Sequence, residues 1–167
     1  PESDDKFIIE KISEDKNSPP PEGKYFRLIK SARLRLPKFV ESQGGSWRGL
    51  TLETLEKFRV GFLPHTGKLG LPRVIIPTFS DNHYLARLVM TEEERIKRKV
   101  PECTKEKPHY GPKDIFGYEM FREAKDEETF FVTEGEIDAM SICQLGFNAI
   151  AVSGSFVSKD LCLGYAL

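Results

Sequence analysis

Phe130-Phe131-Val132-Thr133-Glu134-Gly135-Glu136-Ile137-Asp138-Ala139 runs on through Gln144-Leu145-Gly146-Phe147 to Ala149-Ile150-Ala151-Val152-Ser153-Gly154-Ser155. Phe130 to Thr133 is short and apolar, which predicts a buried strand meeting Glu134-Gly135 at its carboxyl end. A helix is expected from about Glu136, with Ile137, Met140, Ser141 and Gln144 on one side. Gly146 stands where a left-handed C-terminal cap is wanted. Phe147 to Val152 predicts a second buried strand that turns at Ser153-Gly154-Ser155. Two strands around one helix within about 25 residues imply parallel pairing through a right-handed crossover.

Ligands of an open α/β sheet bind beyond the carboxyl ends of its strands. Glu134 and Gly154 both fall at that edge, one after each strand. A carboxylate there suits Mg²⁺, which uses one or two carboxylates together with substrate phosphates, and the glycines admit a large substrate close to the backbone. The alternative is a helix end stabilised by first-turn acids, worth roughly 0.3 to 1 kcal/mol each. That alternative explains Glu136 and Asp138 well. It explains Glu134 poorly, because Glu is a weak N-cap and directly precedes Gly at a strand end.

Upstream, Thr91 to Pro112 is a polar, basic stretch without a clear period. Before it, Arg73 to Phe79 and His83 to Met90 are rich in β-formers around the turn chemistry of Ser80-Asp81-Asn82, so a hairpin is expected, with Pro77 at an edge or bulge. Thr51 can cap a helix to about Arg59 with Leu52, Leu55 and Phe58 on one face, and Gly61 stops it. Phe26, Ile29, Ala32 and Leu36 recur at helical spacing until Pro37 breaks or restarts the helix, and Gly44-Gly45 ends the unit. Residues 1–23 carry Ser18-Pro19-Pro20-Pro21 and predict a flexible linker.

The 167 residues hold 25 basic and 26 acidic side chains, 39% hydrophobic and 31% charged overall, which predicts a folding, cytoplasmic chain and no membrane partner. Cys103, Cys143 and Cys162 form neither a disulfide framework nor a metal motif and are expected to be free thiols. Charge is segregated. Lys24 to Lys38 has six basic residues and no acidic one, Arg95 to Lys113 carries +5, and Tyr118 to Asp138 carries −6. Basic segments invite a polyanion, although solvated helix faces give the same pattern. His65, His83 and His109 show no metal-ligand spacing. Trp47, beside Gly44-Gly45, is expected to plug the core.

The ordered set from Phe130 to Ser155 resembles the first half of a TOPRIM domain as found in DnaG-type primases. Further features are similar to the polymerase core of such primases: Leu50 to Phe62 resembles its helix and following turn, Arg73-Val74-Ile75-Ile76-Pro77 its central strand, and Arg87 the arginine ending the next strand. Lys107-Pro108-His109-Tyr110 stands for the Lys-Tyr pair before the turn at Ile115-Phe116-Gly117. The match is more similar to primases of phages, plasmids and integrated mobile elements than to cellular ones.

The resemblance implies an α/β fold: an α+β N-terminal subdomain over 24–125, then a truncated TOPRIM βαβ unit over 126–167. It implies a DNA primase that makes short RNA primers by metal-dependent nucleotidyl transfer. Glu134 and Asp138 are its expected catalytic acids, with Glu134 on Mg²⁺ or Mn²⁺. Arg73, Arg87, Lys97, Arg98, Lys99, Lys107, Tyr110, Gly135 and Gly154 are expected to bind nucleic acid or nucleotide. Single-stranded DNA, ribonucleotides and a replicative helicase are the implied partners. The family needs a later Asp-x-Asp for the metals and none occurs by Leu167, so further ligands are expected beyond that residue and the fragment is expected to be inactive alone. Competing expectations are a TOPRIM nuclease or topoisomerase fragment, and a non-catalytic DNA-binding module.

Overall fold

The computed structural model describes residues 23–78, 81–102, 104–106, 108–111, 115–125 and 128–152. The linker, Cys103, Cys162 and the turn at 153–155 lie outside them. Helix α1 (Phe26–Arg33) buries Ile29 and Ala32, and α2 (Leu36–Ser42) restarts with Pro37 in its first turn, where a missing amide donor is harmless. A two-stranded hairpin follows, β1 (Ser46–Trp47) with β2 (Leu50–Thr51). Thr51 then caps α3 (Leu52–Lys57), its hydroxyl accepting from the Thr54 amide as expected.

The expected hairpin is the middle of a larger sheet. β3 (Gly61–Thr66), β4 (Leu71–Pro77), β5 (Tyr84–Leu88) and β6 (His109–Tyr110) pair antiparallel in that order. β3 stops opposite Ile75, so Pro77 has a ladder partner only on the Tyr84 side and its missing amide is tolerated inside an interior strand. Gly61 is required for a different reason: a Cβ there would stand 2.6 Å from the Ala32 carbonyl carbon, so α1 crosses β3 at backbone contact. One face of the sheet, bearing Ile75, Tyr84 and Ala86, packs on Ile29 and Ala32. The opposite face, with Val74, Ile76 and Leu85, packs on Leu36, Phe39, Leu55 and Phe58.

The described residues between Thr91 and Gly111 hold more regular structure than the composition suggests. Helix α4 (Glu92–Lys97) opens the stretch with a reciprocal Thr91/Glu94 capping box, a Thr-x-x-Glu signal legible in the sequence.

The carboxyl-terminal unit has the expected order. β8 (Phe130–Thr133), α6 (Glu136–Gln144) and β9 (Asn148–Val152) form a βαβ with parallel strands. Gly146, at φ +92°, ends the helix as expected. β7 (Ile115–Phe116) adds antiparallel to the far side of β9, and α5 (Tyr118–Glu123) follows it. The first strand corrects one expectation. β8 is an edge strand among the described residues, and its Phe131 and Val132 are 49% and 64% exposed rather than buried. Ala139, Met140, Ala149 and Ala151 join the same core as Leu36, Leu55 and Val74, so one apolar interior runs through both sheets.

Candidate nucleic-acid and carboxylate site

Glu134 stands at the corner where β8 becomes α6. The Thr133 hydroxyl lies 3.0 Å from the Gly135 carbonyl and 3.2 Å from that of Ile150, tying the corner to the neighbouring strand. Gly135 is the N-cap residue, in ordinary extended backbone at φ −125°, so its lack of a side chain is not needed for conformation. A Cβ there would stand 2.8 Å from Asp138 Oδ2, so a side chain at this position would oblige that carboxylate to move. Asp138 thus folds back over the helix start, and the approaching group at Gly135 is a neighbouring carboxylate. The Glu134 side chain is exposed, and among the described residues nothing hydrogen-bonds or ion-pairs with it.

No group of three metal-ligating side chains occurs among the described residues. Glu134 offers a single exposed carboxylate, a donor of the type that hard cations such as Mg²⁺ take.

Arg87, half-buried near the end of β5, senses the first turn of the helix that follows this corner. Burial pulls its pKa below the ordinary guanidinium value and the nearby Arg48 guanidinium pulls the same way, while Glu106, Glu136 and Asp138 oppose them. Glu136 is only 6% exposed. Arg87 thus lies in the electrostatic field of one cation, Arg48, and of three acids, Glu106 and the two first-turn acids of α6.

A cleft of about 940 Å³ opens beside this cluster. Arg35, Lys38 and Arg48 line it, with Phe39, Trp47, Phe62, Leu88 and Met90 as apolar wall and Glu94 as the acidic side chain. Arg35 and Lys38 come from the acid-free segment Lys24 to Lys38, whose bias was the signal for them. Arg48 carried no such signal. It sits with Gly49 in a two-residue hairpin turn at φ +55° and +79°, a left-handed pair rare for arginine. Trp47 is buried against Phe39 as expected of a core residue.

The other expected nucleic-acid residues are dispersed. Arg73 is 6% exposed, and its guanidinium donates to the carbonyls of Ala86 at 2.8 Å, Lys105 at 2.9 Å and Glu106 at 3.2 Å. That fork pins the 105–106 segment to the sheet. Tyr110 is exposed and stacks on Tyr84, 4.7 Å between centroids, on the face opposite Arg87. Lys97, Arg98 and Lys99 are exposed at the end of α4, where Arg98 donates to the Gly70 carbonyl at 3.0 Å. Lys107 and Gly154 lie outside the described residues. His83 and His109, with nothing assigned to them from sequence, meet at 3.2 Å between ring nitrogens.

No family model matches the chain, and no curated protein does. Among solved structures it is similar to a DnaG primase catalytic domain bound to ssDNA, with a TM-score of 0.57 at 16% identity over 83% of this chain and 57% of that one. It is also similar to the E. coli primase catalytic core, with a TM-score of 0.56 at 18% identity over 83% of this chain and 56% of that one. The chain spans a little over half the length of those structures. Its described residues therefore take the α/β fold of part of a DnaG primase catalytic core.

Proposed function

We propose that this chain is the template-binding part, with the first catalytic carboxylate, of a primase that copies single-stranded DNA into a short RNA primer. The reading includes a phage, plasmid or mobile-element setting, a helicase partner, and division at residue 125 into a primase-like subdomain and the first half of a TOPRIM unit. The observation that carries it is the exposed, unengaged Glu134 carboxylate, held at a strand-to-helix corner before a helix whose first-turn acids act on Arg87, which in turn senses Arg48 of the basic cleft. The primase likeness supports the fold it rests on.

In this reading Arg35, Lys38 and Arg48 take template phosphates. Phosphate neutralisation with counterion release supplies most of the sequence-independent affinity. The apolar wall of the same cleft accepts sugars and base faces. Arg87 holds an incoming phosphate close to the acids, and its partial burial strengthens that contact. Glu134 would hold Mg²⁺ or Mn²⁺, which when bound would supply charge stabilisation to the attacking and leaving oxygens. Asp138, folded over Gly135, completes the acidic edge. Arg73 is a positioning residue here rather than a phosphate ligand.

Fluorescence anisotropy of a labelled single-stranded oligonucleotide tests the cleft. Reversing Lys38 and Arg48 to Glu weakens binding and flattens the salt dependence by about one unit of slope per cation lost. Unchanged affinity and slope would remove the cleft from the template path.

A further inference from the structure

The Arg48-Gly49 turn needs something to hold it, and the structure shows what does. Both its central residues have positive φ, which is costly for arginine, and the Arg48 charge is within electrostatic range of the like charge of Arg87. Main-chain groups beside this turn are engaged from outside the hairpin. The Gln144 carboxamide donates through Nε2 to the Gly49 carbonyl at 3.0 Å and accepts through Oε1 from the Thr51 amide at 2.8 Å. One side chain, more than ninety positions away in sequence, thus satisfies the outer edge of β2 as a third strand would. Thr51 is in turn the cap of α3. Gln144 is the last residue of α6, whose first turn carries Glu136 and Asp138.

We infer that Gln144 is a positioning residue: its carboxamide clamps the β1–β2 hairpin to the carboxylate-bearing helix and so fixes Arg48 at the cleft in register with the acidic edge. The inference rests on the reading of the cleft as a template site and adds to it a mechanical link between cation and carboxylates. A glutamine suits this task because its amide has both a donor and an acceptor at one end. Without it, Gly49 and Thr51 turn to water, the turn relaxes from its left-handed pair, and the Arg48 guanidinium samples other directions.

Two measurements on the 167-residue chain test this, one of them independent of DNA. Trypsin cleavage at the Arg48–Gly49 bond requires local opening of the turn, so Gln144→Ala accelerates it about tenfold while the melting temperature hardly moves. Gln144→Glu keeps the acceptor for Thr51 and gives an intermediate rate. In single-stranded oligonucleotide binding, Gln144→Ala flattens the salt slope by about one unit, as Arg48→Ala does, and the double variant goes no further than either single one. An unaltered cleavage rate, or additive effects of the two substitutions, would overturn the positioning role. Absence of oligonucleotide binding by the parent chain would instead overturn the cleft reading, and the cleavage rate would still decide whether Gln144 holds the turn.

Discussion

Asp138 lies over Gly135 so closely that a side chain on the glycine would displace its carboxylate: the Cβ position is 2.8 Å from Oδ2. The glycine after the corner glutamate therefore serves the neighbouring acid. Its backbone is ordinary, so alanine fits the conformation, and the obstructing atom is the end of a short, rotatable side chain.

Gly135→Ala is accordingly expected to separate stability from placement. Loss of a tolerable N-cap is offset by reduced freedom of the unfolded chain, each worth from a few tenths to about 1 kcal/mol, so the net change stays near zero. In a longer chain that makes primers, the same substitution lowers synthesis as Asp138→Asn does. Chemical denaturation with parallel primer assays checks both halves, and a large stability loss would show that the corner has no room to adjust.

Arg73→Lys is expected to destabilise by roughly 2 to 3 kcal/mol, because an ammonium cannot reproduce a planar fork shared among three carbonyls. The loss appears in the denaturant midpoint, together with faster proteolysis of the 105–106 segment. A variant as stable as the parent would mean that solvent readily replaces the fork.

Lys97→Glu with Lys99→Glu tests whether the end of α4 lies on the template path. Arg98 is left in place because it holds the Gly70 carbonyl. If template crosses α4, single-stranded DNA binding weakens and its salt slope falls by about one unit for each cation. Unaltered binding confines the template to the cleft.

Tyr84 provides a pH signature of the aromatic stack. Burial raises its phenol from 10.0 to about 12, with Tyr110 and Tyr25 adding to the effect. The folded state thus holds the proton more tightly than the unfolded chain. The resulting stability is complete below pH 10 and disappears as pH rises toward 12. Tyr84→Phe keeps the ring and removes the proton, so the stability of the variant falls less than that of the parent across this window. Parallel alkaline unfolding curves would contradict the assignment.

Much of this fold is legible from local chemistry. Pro37 after an apolar helical series marks the restart, Thr51 marks a cap, and Gly146 marks a helix end, because each needs only its near neighbours. β3 is hidden because its sequence, Gly61-Phe62-Leu63-Pro64-His65-Thr66, alternates poorly and contains proline, and its pairing is set by a crossing with Ala32 that no local window contains. The exposure of Phe131 and Val132 is hidden for a related reason: an apolar run shows strand propensity but not how many neighbours the strand has. Glu134 and Asp138 are readable as a pair at one corner. Their company is only partly so: Arg87 is expected from the family resemblance, but the link of Arg48 to Arg87 and the hold of Gln144 on the Arg48-Gly49 turn arise only through tertiary packing, and Tyr110 falls on the opposite sheet face by the parity of its register with Tyr84.

The most direct measurement is template-directed primer synthesis by a chain long enough to carry the remaining metal ligands, with Glu134→Gln beside the parent and Mg²⁺ or Mn²⁺ supplied. The exposed and unpartnered position of Glu134 predicts loss of synthesis with stability changed by less than about 0.5 kcal/mol. Retained synthesis, or a variant that unfolds, would contradict a metal-binding role for this carboxylate.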